Sequence, residues 1–423
     1  MNLIKHPLIK DTFIYTVSDC INKVIPFLML PILTRFMSPD DYGIVANFTV
    51  FLGILSIFIG LSTYGAVGVN FFKLEKKMLR TYISNVLMIL IATTLITLFF
   101  LWFFSGLFIK FFIIPKILIL IMPLMAFCQF LILINLVLWQ SEQRPKPFCI
   151  FQISQNLIYA IFTIILVMIM KMRWQGQLIS LLISTVMFAS FSLLFIMRRG
   201  YLRFKFNPEY VKDVLFFGIP LVPHQLASWI RVGIDRILIT SMIGLSATGL
   251  YSVGYQFGMI IGIIGAAFNR AWTPFLFNKL NSINQHGKVK LVKICYICFV
   301  AILMFSLALI FIVPQFMRFF LGVNFNGASR FVAWITLGYA FEAMYFLVAN
   351  QIFYVKATHL LALATFISSI IHFLLSYSLI RLNGAIGSAQ ATSISFFISF
   401  LMVWFISNRV YPLPWFSFSE DRK

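Results

Sequence analysis

The chain is 423 residues long, 61% hydrophobic and 17% aromatic, with 11% charged residues. Soluble globular chains carry roughly a quarter charged residues, so a water-soluble globule is excluded; a mean hydropathy of +0.96 over successive apolar runs of about 20 residues indicates a polytopic helical membrane protein. The 33 basic and 12 acidic residues give a net charge of +21, but no polar stretch is long enough to fold as a nucleic-acid-binding domain, so topology, a buried site or both must account for it.

The first apolar stretch, 12–36, is too long for a secretory signal core and carries Asp19, Asn22 and Lys23 in its middle, which predicts a retained helix. Eleven further spans are expected at 43–69, 81–104, 113–139, 148–170, 177–197, 214–242, 248–276, 289–313, 330–355, 358–380 and 384–408. An even number puts both termini on one side. The segments on that side hold 21 basic residues and those on the other side 8, so the positive-inside bias makes the termini cytoplasmic. The basic inside loops Arg198 to Lys212 and Lys279 to Lys293 would also attract anionic lipid headgroups. The outside loops are short, the longest running from Pro314 to Ser329.

A shift of 206 residues aligns Arg35–Val45 with Ser241–Tyr251, each a helix end, a tight polar turn and a Gly opening the next helix. The identity is weak but matches a six-plus-six duplication. The expected fold is all-α and integral to the membrane: twelve transmembrane helices in two six-helix bundles, related by a pseudo-two-fold along the membrane normal. The N-terminal bundle is 1–197, a basic cytoplasmic linker 198–212, the C-terminal bundle 213–408 and a cytoplasmic tail 409–423.

Within the spans lie Asp19, Lys23, Arg231, Asp235, Arg236, Arg270 and Glu342. A central charge costs about 2.5–3.5 kcal/mol on insertion, so these residues are expected to face a shared central cleft. Asp19 with Lys23, and Arg231 with Asp235, stand four apart and suit same-face pairing. Four bases against three acids leave an excess of base, increased by Arg35 at the rim, and such a lining suits an anion such as a pyrophosphate. Neutralised pairs joining the bundles are the bland alternative, and Glu342 is a candidate for proton or cation coupling. His224 and His372 are possible lumen contacts, with packing the simpler role. Pro31, Pro220 and Pro223 interrupt their helices and are candidate bending points. Trp102, Trp174, Trp334, Trp404 and Trp415 fall mostly near span ends, as interface anchors do.

The five Cys all fall in or beside apolar segments, and the C-x2-C of Cys295 and Cys298 lacks a second pair or a nearby His, so helix packing and no metal are expected. The sequence contains no H-E-x-x-H, Walker loop or G-x-S-x-G, which leaves ATP hydrolysis and cleavage chemistry without candidates.

The run Phe27-Leu28-Met29-Leu30-Pro31-Ile32-Leu33-Thr34-Arg35-Phe36-Met37-Ser38-Pro39-Asp40-Asp41-Tyr42-Gly43 resembles the N-terminal signature of bacterial polysaccharide transporters. These are the O-antigen repeat-unit flippases of the multidrug/oligosaccharidyl-lipid/polysaccharide exporter superfamily. Gly218-Ile219-Pro220-Leu221-Val222-Pro223, Asp235-Arg236, Gly249 to Tyr255 and Ala271-Trp272-Thr273-Pro274-Phe275 are similar to that family too. The resemblance implies an inner-membrane flippase, not an enzyme, with a V-shaped central cleft. It would carry an undecaprenyl-pyrophosphate-linked oligosaccharide from the cytoplasmic to the periplasmic leaflet by alternating access without ATP. By place in the fold the cationic lumen would be Lys23, Arg35, Arg231, Arg236 and Arg270, with Asp19, Asp235 and Glu342 as charge partners or coupling groups; of these, Asp235 and Arg236 sit in a motif. It further implies no cofactor, coupling to a proton or sodium gradient, membrane lipids as neighbours, and a polysaccharide polymerase and chain-length regulator as partners. Lipid II flippases of the superfamily usually have fourteen spans, which disfavours that branch. A multidrug antiporter of the same superfamily, and less so a membrane polymerase or acyltransferase, are the alternatives.

Overall fold

In the computed structural model, residues 7–112, 114–281 and 284–415 are described, with side chains from residue 14 onward except at 16, 19, 20 and 110–112. Within them the secondary structure is helix, with no strand. Hydrocarbon offers no partner for backbone N–H and C=O groups, and a helix satisfies them within one segment. Helices α1 (Pro7–Phe36), α2 (Pro39–Gly60), α3 (Thr63–Phe71), α4 (Lys76–Phe103), α5 (Ser105–Phe112), α6 (Lys116–Ser141), α7 (Pro145–Thr163) and α8 (Arg173–Arg198) are followed by α9 (Pro208–Gly218) and α10 (Val222–Met242). The rest are α11 (Leu245–Gly258), α12 (Ile260–Leu280), α13 (Gln285–Phe320), α14 (Ser329–Tyr354), α15 (Thr358–Asn383) and α16 (Ala385–Val410). These fall into twelve helical stretches that follow the twelve predicted spans. Among the described residues ten are long and apolar enough to cross a membrane, and this is a multi-pass membrane protein. The remaining two stretches contain α1 and α10, both of which carry ionisable residues.

The signature turn before α2 has a physical basis. Ser38 caps the helix, its Oγ accepting from the Asp41 N–H at 3.2 Å while the Asp41 carboxylate accepts from the Ser38 N–H at 2.9 Å. Pro39 at the first helical position is preorganised for the turn.

Internal contacts divide the chain after Leu226 into two compact units. In the first, the 201–207 segment runs along α4, whose side chains stand in for backbone partners. Asn85 donates to the Lys205 carbonyl at 2.9 Å and accepts from the Asn207 N–H at 2.9 Å, and Ser84 Oγ accepts from the Arg203 N–H at 2.9 Å. The Asp213 carboxylate on α9 accepts from Tyr82 at 2.8 Å and from Asn70 at 3.2 Å. At the head of this segment Glu142 receives Arg199 at 3.2 Å and the Tyr201 hydroxyl at 2.6 Å, while the Arg199 guanidinium covers the Trp139 ring at 5.0 Å. Burial and then the Glu142 carboxylate push the Tyr201 phenol well above its usual range, so it stays a donor.

Two predicted continuous spans are broken in this unit, and the breaks face each other. Leu61 and Ser62 separate α2 from α3 in the left-handed region, at φ 43° and 52°, where non-glycine residues are strained. The 3-10 turn Ile219–Leu221 separates α9 from α10. Gly218 lies so close to the first break that a Cβ there would stand 2.0 Å from the Leu61 carbonyl oxygen, and the Gln225 amide donates to Ser62 Oγ.

In the second unit α14 is central, packing on α11, α12, α13 and α16. Gly254, Gly258, Gly262 and Gly265 give α11 and α12 a smooth edge against α14. A Cβ at Gly258 would meet Ile335 at 2.6 Å, and one at Gly262 would meet Tyr339 at 2.3 Å. In hydrocarbon, close backbone approach of this kind is the main source of helix association.

Two expectations are corrected. The predicted outside loop from Pro314 to Ser329 is largely helical, because α13 continues through Pro314 to Phe320; a membrane helix tolerates the single lost hydrogen bond. Trp415 is no interface anchor, since it is 2% exposed, edge-on to Trp404 and stacked on Phe299, with its carbonyl accepting from the Tyr296 hydroxyl at 2.8 Å.

Candidate functional site

Helix α10 carries Arg231, Asp235 and Arg236, and each finds a different environment. Asp235 is fully buried. Its Oδ2 accepts from the Tyr251 hydroxyl of α11 at 2.8 Å and from Thr392 of α16 at 3.3 Å. Its Oδ1 accepts from Ser376 of α15 at 2.8 Å and lies 3.3 Å from His372 Nε2. The other ring nitrogen of His372 is 2.9 Å from Ser395 Oγ, which itself donates to the Thr392 carbonyl at 3.2 Å. With the Ser395 proton so used, Nδ1 of His372 is placed as the donor of that contact. A buried carboxylate persists only when it is paired and hydrogen-bonded, and here three hydroxyls and an imidazole supply that. His372, expected as a lumen contact, is therefore fully buried as the partner of Asp235.

The expected Arg231–Asp235 pair does not form. Arg231 Nη2 instead reaches Glu342 Oε1 on α14 at 3.5 Å, and its guanidinium lies over the Phe396 ring at 4.5 Å. The reason is directional: Asp235 turns toward α11, α15 and α16, whose hydroxyls saturate it, while the long Arg231 side chain spans to α14. Both members of that pair are largely withdrawn from the surface, at 14% and 22% side-chain exposure.

Arg236 has a third arrangement. Its guanidinium lies 4.3 Å from the Tyr255 ring centroid and 5.6 Å from that of Tyr251, and it donates to the Val232 carbonyl. Tyr255 in turn shares a hydrogen bond with Tyr339 across the glycine edge. Among the described residues no carboxylate stands within ion-pair reach of Arg236. Its charge is held by aromatic faces, worth about 0.5–2 kcal/mol, and stays available to an anion.

The remaining candidates are more exposed. Arg270 is exposed on α12, His224 is exposed in the first turn of α10, and in the first unit Lys23 and Arg35 are exposed on α1, Arg35 in its last turn. The Asp19 side chain, and with it the expected Asp19–Lys23 pair, lies outside the described residues.

Residue-type reasoning missed the uncharged groups. In the first unit Asn22, beside Lys23, donates to Gln152 Oε1 at 3.1 Å and accepts from Asn156 Nδ2 at 2.8 Å, tying α1 to α7. In the second, Tyr251, Ser376 and Thr392 complete the Asp235 shell. The signals were present as Asn22, Gln152 and Asn156 in otherwise apolar spans, and as Gly254, Gly258, Gly262 and Gly265 at helical spacing.

Comparison with known proteins gives the fold a wider setting. Residues 8–279 match the family model described as polysaccharide biosynthesis protein. An uncharacterized membrane protein of Haemophilus influenzae is 27% identical over 375 residues, spanning 86% of this chain and 88% of its own. The lipid II flippase MurJ in its inward closed conformation superposes with a TM-score of 0.73 at 17% identity, over 94% of this chain and 87% of the other. An inward-facing multidrug resistance MATE family transporter of the MOP superfamily superposes with a TM-score of 0.75 at 12% identity, over 93% and 94%. At these identities the likeness is one of fold.

Proposed function

The chain belongs to the polysaccharide biosynthesis protein family, and on that premise we propose that it is a flippase for a lipid-linked oligosaccharide. The substrate is an undecaprenyl-pyrophosphate-linked repeat unit of a surface polysaccharide, moved from the cytoplasmic to the periplasmic leaflet of the inner membrane by alternating access. Both termini face the cytoplasm. The protein acts as a transporter, not an enzyme, and without ATP. A proton or sodium gradient is the energy source in this reading, and a polymerase and chain-length regulator its downstream partners.

The observation that carries the reading is Arg236. A guanidinium on a motif-bearing helix, held against tyrosine rings with no carboxylate in reach among the described residues, is suited to the two-pronged hydrogen bonding of a phosphate. Arg231 and Arg270 add positive charge in the same unit, and Lys23 and Arg35 are the candidate cations of the first unit. In Arg231 an anion would compete with Glu342 for the same guanidinium, which makes the pair a candidate gate. Asp235 with His372 is the candidate coupling group.

Deletion with complementation tests the function. Loss of the gene should leave lipid-linked repeat units on the cytoplasmic leaflet, and wild-type chain should clear them; units reaching the periplasm at the normal rate without the protein would exclude it. A cation-coupled multidrug antiporter is the second reading, favoured by the fold shared with a MATE transporter. It would prefer an acid-lined interior, and it predicts drug sensitivity without any polysaccharide defect in the deletion strain.

A further inference from the structure

The first unit contains a cavity that, among the described residues, no charged side chain lines. It measures about 170 Å³ and lies among α2, α7 and α8, with Thr49, Gln155, Asn156, Tyr159, Gln177 and Ser184 as its polar wall. Every one of these groups is uncharged. Asn156 is fixed by its bond to Asn22. The Gln177 amide donates to the Tyr159 hydroxyl at 3.1 Å, so that hydroxyl keeps its own proton for another acceptor. The carbonyl end of Gln177 has no partner among the described residues, although the residue is only 7% exposed. Leaving a buried acceptor unmade costs about 1–3 kcal/mol, so Gln177 Oε1 is a standing acceptor for a ligand donor.

The backbone around it is also irregular. Directly after Tyr159 and its turn, α7 widens into the π-helical segment Ile164–Ile169, a distortion common at functional sites. Gly176, beside Gln177, is flush against it, so that a Cβ there would stand 3.0 Å from the Leu166 carbonyl oxygen.

The wall selects a chemical class. An anion would need a cation and a cation a carboxylate, and the wall has neither. A hydrocarbon chain would leave the buried Gln177 carbonyl unsatisfied. A polyhydroxylated ring answers all of it, with hydroxyls that both donate and accept and an apolar face for the Tyr159 ring. The volume limits the ligand to a single ring, since a cavity of about 150 Å³ holds one benzene. We propose that this cavity is a subsite for one neutral sugar ring, used to read the oligosaccharide part of the transported molecule apart from its pyrophosphate. The proposal rests on the flippase reading for its ligand but is tested without any transport.

The probes are free glucose, galactose and N-acetylglucosamine, titrated against the full-length protein in lipid nanodiscs, with binding read by saturation-transfer NMR. At least one sugar should bind. Gln177→Met and Tyr159→Phe, both close to the original size and checked for monodisperse elution, should each weaken it about tenfold, the effect of one lost hydrogen bond. Ser190→Ala, on α8 but outside the cavity wall, should bind as wild type does. No binding of any of the three sugars, or equal binding by wild type and Gln177→Met, would overturn the proposal and leave a water-filled packing defect. Either result is independent of the deletion phenotype: a chain that complements export yet binds no sugar loses the subsite alone.

Discussion

His372 Nε2 stands 3.3 Å from the Asp235 carboxylate, and both side chains are fully buried. Removing one member of such a pair leaves an uncompensated buried group, which is destabilising by about 3–5 kcal/mol. Asp235→Ala and His372→Ala should each lower the thermal midpoint of the purified protein steeply, and the double variant should lose less than the two losses added. Additive losses in this double-mutant cycle would show that the two residues are not coupled.

Arg231 and Glu342 respond differently, because their pair is also partly open. Glu342→Gln removes the carboxylate that competes for Arg231, so anion binding should tighten, while transport should slow through failure to release. Binding of a water-soluble isoprenyl pyrophosphate to Glu342→Gln, measured by calorimetry, checks this; weaker binding than wild type would remove the gate from the account.

The glycine edge gives a prediction about packing alone. Gly258→Leu forces side-chain atoms into Ile335, whose Cβ would already stand 2.6 Å from a Cβ at 258, and overpacking of this kind costs about 1–3 kcal/mol. Gly106→Ala, where nothing lies within 4 Å, should be neutral or slightly stabilising. Thermal unfolding in detergent separates the two, and an equal effect would refute the glycine edge as the packing seam.

Orientation is tested by single cysteines in a background lacking the native five. A cysteine at Leu202 or Gln285 should label from outside only after the membrane is permeabilised, and one at Asp40, exposed in the first turn of α2, should label in intact spheroplasts. The reverse pattern would invert the proposed topology.

The succession of helical stretches was legible because hydropathy is a property of each segment alone, and α1, α10, α12 and α14 stood out as carrying charge. What was not legible depends on partners distant in sequence. The i, i+4 spacing of Arg231 and Asp235 suggested a local pair, yet Ser376, His372 and Thr392, more than 130 residues away, take the carboxylate. The break at Leu61 and Ser62 follows a lone Gly60 inside an apolar run, and what holds it is distant in sequence, Gly218 on α9 and Gln225 on α10. The motif Ser38-Pro39-Asp40-Asp41 was recognisable, and its reason, a capping box after α1, emerged only with the hydrogen bonds. The candidate cations were found by residue type, but the distinction among them, with Arg231 ion-paired, Arg236 ring-held and Arg270 exposed, is a matter of neighbours.

The central claim is that Arg236 receives the anionic headgroup of a lipid-linked substrate. Proteoliposomes loaded with a fluorescent undecaprenyl-pyrophosphate-linked sugar, read by quenching of the outer leaflet, measure it directly. Wild-type protein should render the inner pool accessible to quencher; Arg236→Ala, with a stability within about 2 kcal/mol of wild type, should not, and Arg236→Lys should retain part of the rate. Scrambling by Arg236→Ala at the wild-type rate would contradict the account.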